Sequence, residues 1–592
     1  MVNSIRKAMT LFDVKDKRKL VVLLLMMIIA ALFETLGIGL IIPFVGIITN
    51  PEVIQDITFL SNIYSFLGFE STNSFVIFSV ITFLFIYIFK NMYLLIFEYA
   101  QYKLIFNQEI KLSERLFKTY LIKPYTFHLQ RNSADLLRNI TIEVPKIFRK
   151  VIISSFQLAT EILVASFILT LLFFVSPIAT LTASIILCGS IFTFFKFYRT
   201  KISKLGEEEQ DLNGSMIKWV KQGLGAGKEV RVTGKEGYFV NEYANLGKTI
   251  AVNNRSIKML EYAPRPFIET LLISIVLVTM LIIFYQNLET TQVVSTMALF
   301  CMAAFRLLPS INRILFVITT IRYNYPALSI VYEDIEKNEV LFPQNTHVKD
   351  KMESFEKTYK GAISLTNVSF RYPNDHALII KDVSLTIPIG SAAAFIGKSG
   401  AGKTTIVDLI LGLLTPEKGK ITIDGKDIDE QRSILVQKIG YIPQTIFLSD
   451  DTIRNNVAFG LVKADINDEE VWRALEQAQL KEYVRSLPAG LDTMVGERGL
   501  RLSGGQRQRI GIARALYTNP EIIFMDEATS AVDSETENEI MRAIDLLKGQ
   551  KTLIIIAHRL STIKNCDFIF EMENGEVTSV EKNFKDWGQV HA

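Results

Sequence analysis

The run GKSGAGKTT at residues 397–405 places glycines at 397, 400 and 402 ahead of Lys403, Thr404 and Thr405. Glycines at that spacing let backbone N–H groups turn inward around phosphates, and the lysine that follows can reach the β- and γ-phosphates of a nucleoside triphosphate. Lys398, Ser399 and Ala401 complete the loop. Thr404 offers a hydroxyl ligand for Mg²⁺, and Thr405 is placed to touch the α-phosphate. A second cluster, EIIFMDE, ends an apolar run in Asp526 and Glu527. An aspartate closing a buried strand suits the coordination shell of Mg²⁺, and the glutamate beside it suits a general base that aligns an attacking water. Together these groups can hydrolyse ATP with Mg²⁺ as cofactor.

Such groups need a strand, a tight loop and a helix to hold them. SAAAFIG followed by KSGAGKTTIVDLILGLL reads as that succession, and from Gly361 onward β-type apolar runs alternate with helical ones. Residues 361–592 are therefore expected to form an α/β domain. Ahead of it, residues 326–360 turn polar, with Pro326, Pro343 and the charged run KDKMESFEK, and read as a linker.

The first 325 residues have another character. Hydrophobic residues are 49% of the chain and mean hydropathy is +0.27, and the apolar residues crowd into this half. Six apolar stretches, near 20–47, 73–98, 151–174, 177–198, 265–286 and 292–322, are each long enough to span a bilayer as a helix. The polar segment 1–19 and the segments 99–150 and 199–262 are rich in Lys and Arg, whereas 48–72, 175–176 and 287–291 contain none. By the positive-inside rule both termini and the ATPase are cytoplasmic. The first apolar run exceeds signal-peptide length and ends in no small-residue cleavage site, so it is expected to be retained. Cys188, Cys301 and Cys566 form no close pair and read as buried small hydrophobes. A net charge of only +3 gives no reason to expect a nucleic-acid partner.

The two long cytoplasmic segments continue the helical period of the neighbouring spans, so they are expected to carry those helices toward the ATPase. Near their tips lie PYTFHLQRNSADLLRNI (124–140) and GKEVRVTGKEGYFVNEY (227–243), where Tyr125, Phe127, Tyr238 and Phe239 interrupt charged sequence. Both are candidate coupling helices. The outer segment sets Val53, Ile57, Leu60, Tyr64 and Leu67 on one helical face, for the membrane interface or for packing on the spans. Within the spans stand four cations, Lys90, Arg265, Arg306 and Arg313. A cation at the bilayer centre costs about 2.5–3.5 kcal/mol on insertion scales, so each needs a cavity or a partner. Glu34, Glu161 and Glu269 could pair with them. Arg306 and Arg313, two helical turns apart on one face, suit an anionic group such as a lipid phosphate or pyrophosphate.

Across roughly 360–590 the sequence closely resembles the ATP-binding cassette (ABC) family. LSGGQ stands at Leu502–Gln506. The resemblance implies that Ser503, Gly504, Gly505 and Gln506 close over nucleotide bound by a second copy, giving a homodimer with two composite ATP sites. It further implies that Tyr372 stacks on adenine, that Gln444 links Mg²⁺ to the membrane domain and that His558 senses the γ-phosphate. SAVD, with Val532 where Leu is more usual, matches a further family loop, and Glu497 in VGERG looks like an exporter contact to the coupling helices.

A membrane domain followed by a cassette on one chain resembles the half-size exporters. The implied fold is an all-α six-helix transmembrane domain of the type IV exporter kind over residues 20–325, followed by an α/β nucleotide-binding domain. FETLGIGLIIPF, the outer segment and FRLLPSINRI are similar to the bacterial lipid-linked oligosaccharide flippases. That resemblance implies a multi-pass protein of the bacterial cytoplasmic membrane, among membrane lipids, moving a polyprenyl-pyrophosphate glycan to the outer leaflet. The alternative is an exporter of peptides, drugs or another glycolipid. A regulatory scaffold or ATP-gated channel would tolerate a damaged catalytic site, whereas Glu527 and His558 are intact; the six spans argue against a soluble cassette ATPase.

Overall fold

The computed structural model describes residues 14–40, 58–69, 71–175, 177–285, 290–339, 359–526, 545–557 and 563–581, with a few isolated positions besides. Side chains from 279 to 304, and that of Arg306, lie outside the description. The chain divides into two compact units, residues 1–123 with 131–346 and residues 124–130 with 347–592.

In the first unit the apolar stretches lie on long helices, α1 (Val14–Gly39) and α3 (Thr72–Ile122), with the short α2 (Thr58–Phe66) between them. After α4 (Tyr125–Gln130), which belongs to the second unit, the first unit continues with α5 (Ser133–Arg138), α6 (Ile153–Val175), α7 (Pro177–Gly225), α8 (Gly227–Thr233), α9 (Glu236–Tyr262), α10 (Pro264–Tyr285) and α11 (Thr290–Glu339). At 1.5 Å per residue, the 51 residues of α3 reach about 75 Å, far beyond a hydrocarbon layer of about 30 Å. Four helical stretches are long and apolar enough to cross a membrane among the described residues: Asp16–Gly37, Thr72–Ile122, Ser133–Phe174 and Leu307–Ile335. Their outward faces stay apolar, as Leu84, Phe85 and Leu95 on α3 do, which fits hydrocarbon as the solvent. Ala31, Val164, Ile168, Leu272, Ile311 and Leu315 close the interior between α1, α6, α10 and α11.

Two sequence expectations are corrected here, and one of two alternatives for a third is favoured. The linker does not begin at Pro326, because α11 runs through Pro309 and Pro326 to Glu339. Leu328, Val331 and Ile335 are buried along that polar stretch, so tertiary packing holds the helix past its proline. Cys188 is exposed, on a face suited to lipid, while Cys566 is buried; Cys301 lies outside the described residues. In the outer segment, Tyr64 packs on Phe69 and Phe75 at ring-centre distances of 6.0 and 5.4 Å, which ties α2 to the start of α3. Val53 and Ile57 lie outside the described residues.

Between α5 and α6 the helix is interrupted by π-helical stretches at Asn139–Glu143 and Ile147–Ile152. Here three elements meet in a buried polar knot. The Tyr120 hydroxyl donates to Asp334 Oδ2 at 2.7 Å, and Asn139 Nδ2 donates to the same oxygen at 2.9 Å. Arg131 lies 3.6 Å from Asp334 Oδ1.

Helices α7 and α11 approach so closely that a Cβ built on Gly206 would stand 2.1 Å from the Tyr323 carbonyl oxygen. Gly206→Ala is therefore expected to destabilise the membrane unit by about 1–3 kcal/mol, the usual cost of overpacking. A thermal-unfolding midpoint in detergent equal to that of the native protein would refute the close approach.

The second unit carries two sheets. One is antiparallel, ordered β2 (Ile380–Pro388), β1 (Ala362–Phe370), β4 (Lys418–Ile423), β5 (Lys426–Asp427). The other is ordered β10 (Glu576–Glu581), β9 (Phe568–Glu573), β3 (Ala392–Ile396), β8 (Thr552–Ile556), β7 (Ile522–Asp526), β6 (Ile439–Ile442), parallel throughout except for β10. All five residues of β3 and of β8 are buried, the near-continuous apolar run expected of a parallel strand covered on both faces.

Candidate functional site

The phosphate loop leaves the carboxyl end of β3 and opens α12 (Lys403–Ile410). Gly397 has φ +138°, and a Cβ there would stand 2.2 Å from the Met572 carbonyl oxygen, so only glycine fits. Gly402, at φ +100°, is the N-cap residue of α12. Lys403 folds back across the loop, its Nζ donating to the Gly397 and Lys398 carbonyls at 2.8 and 3.0 Å. That places a buried ammonium at the cradle. Lys398, Ser399 and Gly400 are exposed, while Ala401 and Gly402 are buried.

The two threonines face opposite ways. Thr404 is exposed and Thr405 is buried, its Oγ1 3.1 Å from the Tyr372 hydroxyl. Tyr372 follows β1 and packs edge-on against Phe370 with ring centres 5.1 Å apart. The structure thus brings an aromatic ring to the loop through a bond that sequence spacing does not reveal. Asp526 ends β7 half-buried, and Gln444 is exposed just beyond β6. Glu527 and His558 lie outside the described residues, as does Val532.

The LSGGQ segment opens α13 (Gly504–Tyr517). Ser503 is its N-cap in a capping box: Ser503 Oγ accepts from the Gln506 N–H at 3.2 Å, and the Ser503 N–H donates to Gln506 Oε1 at 2.9 Å. The first-turn N–H groups of α13 and the helix dipole then favour an anion at this end.

Negative charge accumulates under the phosphate loop. Burial, and then the Asp526 carboxylate, push the Asp408 carboxyl up to about 6. Burial followed by Asp526 and Asp408 raises the Tyr441 phenol to about 12. Residues 124–130 group with this unit rather than with the helices beside them in sequence, and the Tyr125 phenol is raised by burial and then by Asp408 and Tyr372.

In the membrane unit the intramembrane cations separate. Lys90 is buried, 3.3 Å from Glu34 Oε2 and over the Tyr87 ring at 4.8 Å, so its charge is balanced between α1 and α3. Arg313 donates from Nη1 to Glu161 Oε1 at 2.7 Å. Arg265 makes no ion pair with Glu269 or any other acid among the described residues. Arg265 and Arg313 line one cavity of about 560 Å³ between α9, α10 and α11, with Lys258, Tyr262, Asn312 and Phe316. The side chain of Arg306 lies outside the described residues. Lys258, Tyr262 and Asn312 are absent from the sequence-based candidates. Lys258, Tyr262 and Arg265 recur at steps of four and three, a spacing that could have grouped them.

Residues 380–530 match the ABC transporter family and residues 36–263 its transmembrane region. An ATP-dependent lipid A-core flippase from Cupriavidus pinatubonensis is 31% identical over 475 residues, covering 79% of this chain and 78% of that protein. This chain belongs to the ABC transporter family. Mouse ATP-binding cassette sub-family B member 10, mitochondrial, is 32% identical over 480 residues, covering 79% of this chain and 65% of the mouse protein. The fold matches that of a bacterial Atm1-family ABC exporter with ATP bound, with a TM-score of 0.75 over 97% of this chain and 96% of that one, at 24% identity. The chain is an exporter half-transporter, and its cassette couples ATP hydrolysis to transport.

The donor set of this ABC exporter fits Mg²⁺. Thr404 Oγ1, the Gln444 side chain and the Asp526 carboxylate carry hard oxygen donors of the kind Mg²⁺ takes, and a divalent cation would offset the Asp526 charge that, after burial, helps to raise Asp408.

Proposed function

We propose that this ABC exporter works as a homodimer that moves a polyprenyl-pyrophosphate oligosaccharide to the outer leaflet of the bacterial cytoplasmic membrane. The observation that carries the reading is the cavity of about 560 Å³ with Arg265 and Arg313 in its wall, where Lys258 is already paired with Glu261 at 2.7 Å. Arginine forks donate paired hydrogen bonds to phosphate oxygens, and a site inside a membrane unit selects an amphipathic carrier of that phosphate. Arg306, seven residues before Arg313 in the sequence, is proposed to join the same site, while Lys90, paired with Glu34, is a more distant contributor. The lipid A-core flippases among the relatives keep a different anionic glycolipid as the alternative.

On this reading, residues 20–325 span the membrane six times, both termini are cytoplasmic, and residues 361–592 form the nucleotide-binding domain. The phosphate loop Gly397–Thr405 holds ATP, with Tyr372 on the adenine. Thr404, Gln444 and Asp526 hold Mg²⁺, which when bound neutralises charge on the β- and γ-phosphates. Glu527 aligns and deprotonates the attacking water, and His558 contacts the γ-phosphate. Ser503, Gly504, Gly505 and Gln506 of one protomer cover the nucleotide on its partner. Helix α4, grouped with the cassette, and the exposed apolar tip at Val232 and Tyr238 transmit closure to the spans.

The test is ATPase stimulation in lipid nanodiscs by polyprenyl-pyrophosphate oligosaccharide against lipid A, peptides, drugs and neutral phospholipid. Stimulation by the first alone supports the reading, and stimulation by a drug or peptide instead overturns it. Arg306→Ala is expected to lose most of the stimulation by substrate; unchanged transport by that variant would remove Arg306 from the site.

A further inference from the structure

Arg313 reaches the cavity with its side chain 57% exposed, while its partner Glu161 on α6 is 4% exposed. Only Nη1 is engaged by Glu161, at 2.7 Å, and Arg313 has no other hydrogen-bond acceptor among the described residues. A guanidinium has five N–H donors in a rigid plane, so fixing one nitrogen leaves the Nε–Nη2 edge intact as a two-donor fork. The carboxylate is buried, on the helix α6 that also carries Val164 and Ile168 of the packed interior, whereas the arginine is half exposed to the cavity. In the same wall, Asn312 Oδ1 is buried and has no hydrogen-bond partner among the described residues. A buried acceptor left open is costly, at about 1–3 kcal/mol, and a ligand with a hydroxyl or amide N–H would satisfy it.

We infer that Glu161 is the positioning residue for Arg313, turning its Nε–Nη2 edge to an oxyanion whose neighbouring group donates to Asn312, as in a phosphorylated glycan. This rests on the reading of the cavity as the anion-binding part of the transport path. The ordering matters because a loose arginine must lose rotamer freedom at each binding event, whereas one already tethered loses less. Glu161 itself touches no substrate. Its effect is on the concentration of substrate needed and less on the maximal rate.

The experiment compares Glu161→Met, Glu161→Gln and Arg313→Lys in nanodiscs, titrated with polyprenyl-pyrophosphate oligosaccharide and, separately, lipid A. Methionine keeps the volume and suits an apolar span, so folding is not the variable under test. Glu161→Met is expected to raise the half-maximal stimulating concentration about tenfold or more, the loss of one charge-assisted hydrogen bond, with the maximal stimulated rate within about threefold. Glu161→Gln, which keeps an acceptor at Oε1, is expected to recover to within about threefold of the native value. Arg313→Lys, which keeps the charge and loses the fork, is expected to behave like Glu161→Met. Equal values for Glu161→Met and the native protein, or Glu161→Gln no better than Glu161→Met, would overturn the inference. Should lipid A stimulate and the polyprenyl lipid fail, the proposed cargo falls while Glu161 is judged on lipid A. Failure of every anionic lipid to stimulate the native protein would overturn both.

Discussion

Glu527→Gln is expected to bind ATP with near-native affinity and to lose at least about 100-fold in turnover, the usual range for a general base. The amide keeps the size of the side chain but cannot take the proton of the attacking water. On the proposed Mg²⁺ roles of Asp526 and Thr404, which the substitution leaves untouched, nucleotide and Mg²⁺ are expected still to bind and the two cassettes to remain closed over uncleaved ATP. The measurements are ATP retention by the purified dimer and steady-state phosphate release. Turnover within about tenfold of native would assign the base to another residue, whereas lost ATP binding would make Glu527 a ligand instead.

Asp334→Ala carries the second large effect. The carboxylate takes hydrogen bonds from Tyr120 and Asn139 and stands beside Arg131, so its removal takes one acceptor from two buried donors at once. Each buried donor deprived of an acceptor costs about 1–3 kcal/mol, giving a loss of about 3 kcal/mol in this end of the membrane unit. The knot joins α3, the segment after α5 and the end of α11. Substrate stimulation of ATPase is expected to fall together with the thermal midpoint. Asp334→Asn, which retains an oxygen acceptor, is expected to lie between the two. A midpoint unchanged in Asp334→Ala would show that the knot holds nothing together.

Local pattern made part of this molecule legible and left part of it hidden. The phosphate loop could be read because its glycines, lysine and threonines follow within nine residues, between a strand and a helix. The apolar stretches could be read because hydrocarbon imposes a length and a composition. The continuation of α11 past Pro326 could not, since its support comes from burial of Leu328, Val331 and Ile335 and from the bonds of Asp334 to residues near 120 and 139. The pairings Lys90–Glu34 and Arg313–Glu161 join positions 56 and 152 residues apart, and periodicity carries no information at that range. Cys188 was misread because an apolar run in a membrane need not be buried in protein. The hydrogen bond between the Tyr372 and Thr405 hydroxyls likewise depends on how β1 and the loop fold together.

The contact of Gly206 with the Tyr323 carbonyl bears on how such a machine can change shape. With no side chain between the two backbones, an axial slip of one residue would drive Leu205 or Glu207 into that oxygen. Helices α7 and α11 are thereby denied independent travel and share one trajectory, like the two rails of a ladder joined at a rung. A displacement of the wall that Arg313 occupies is therefore expected to carry α7 with it at this crossing.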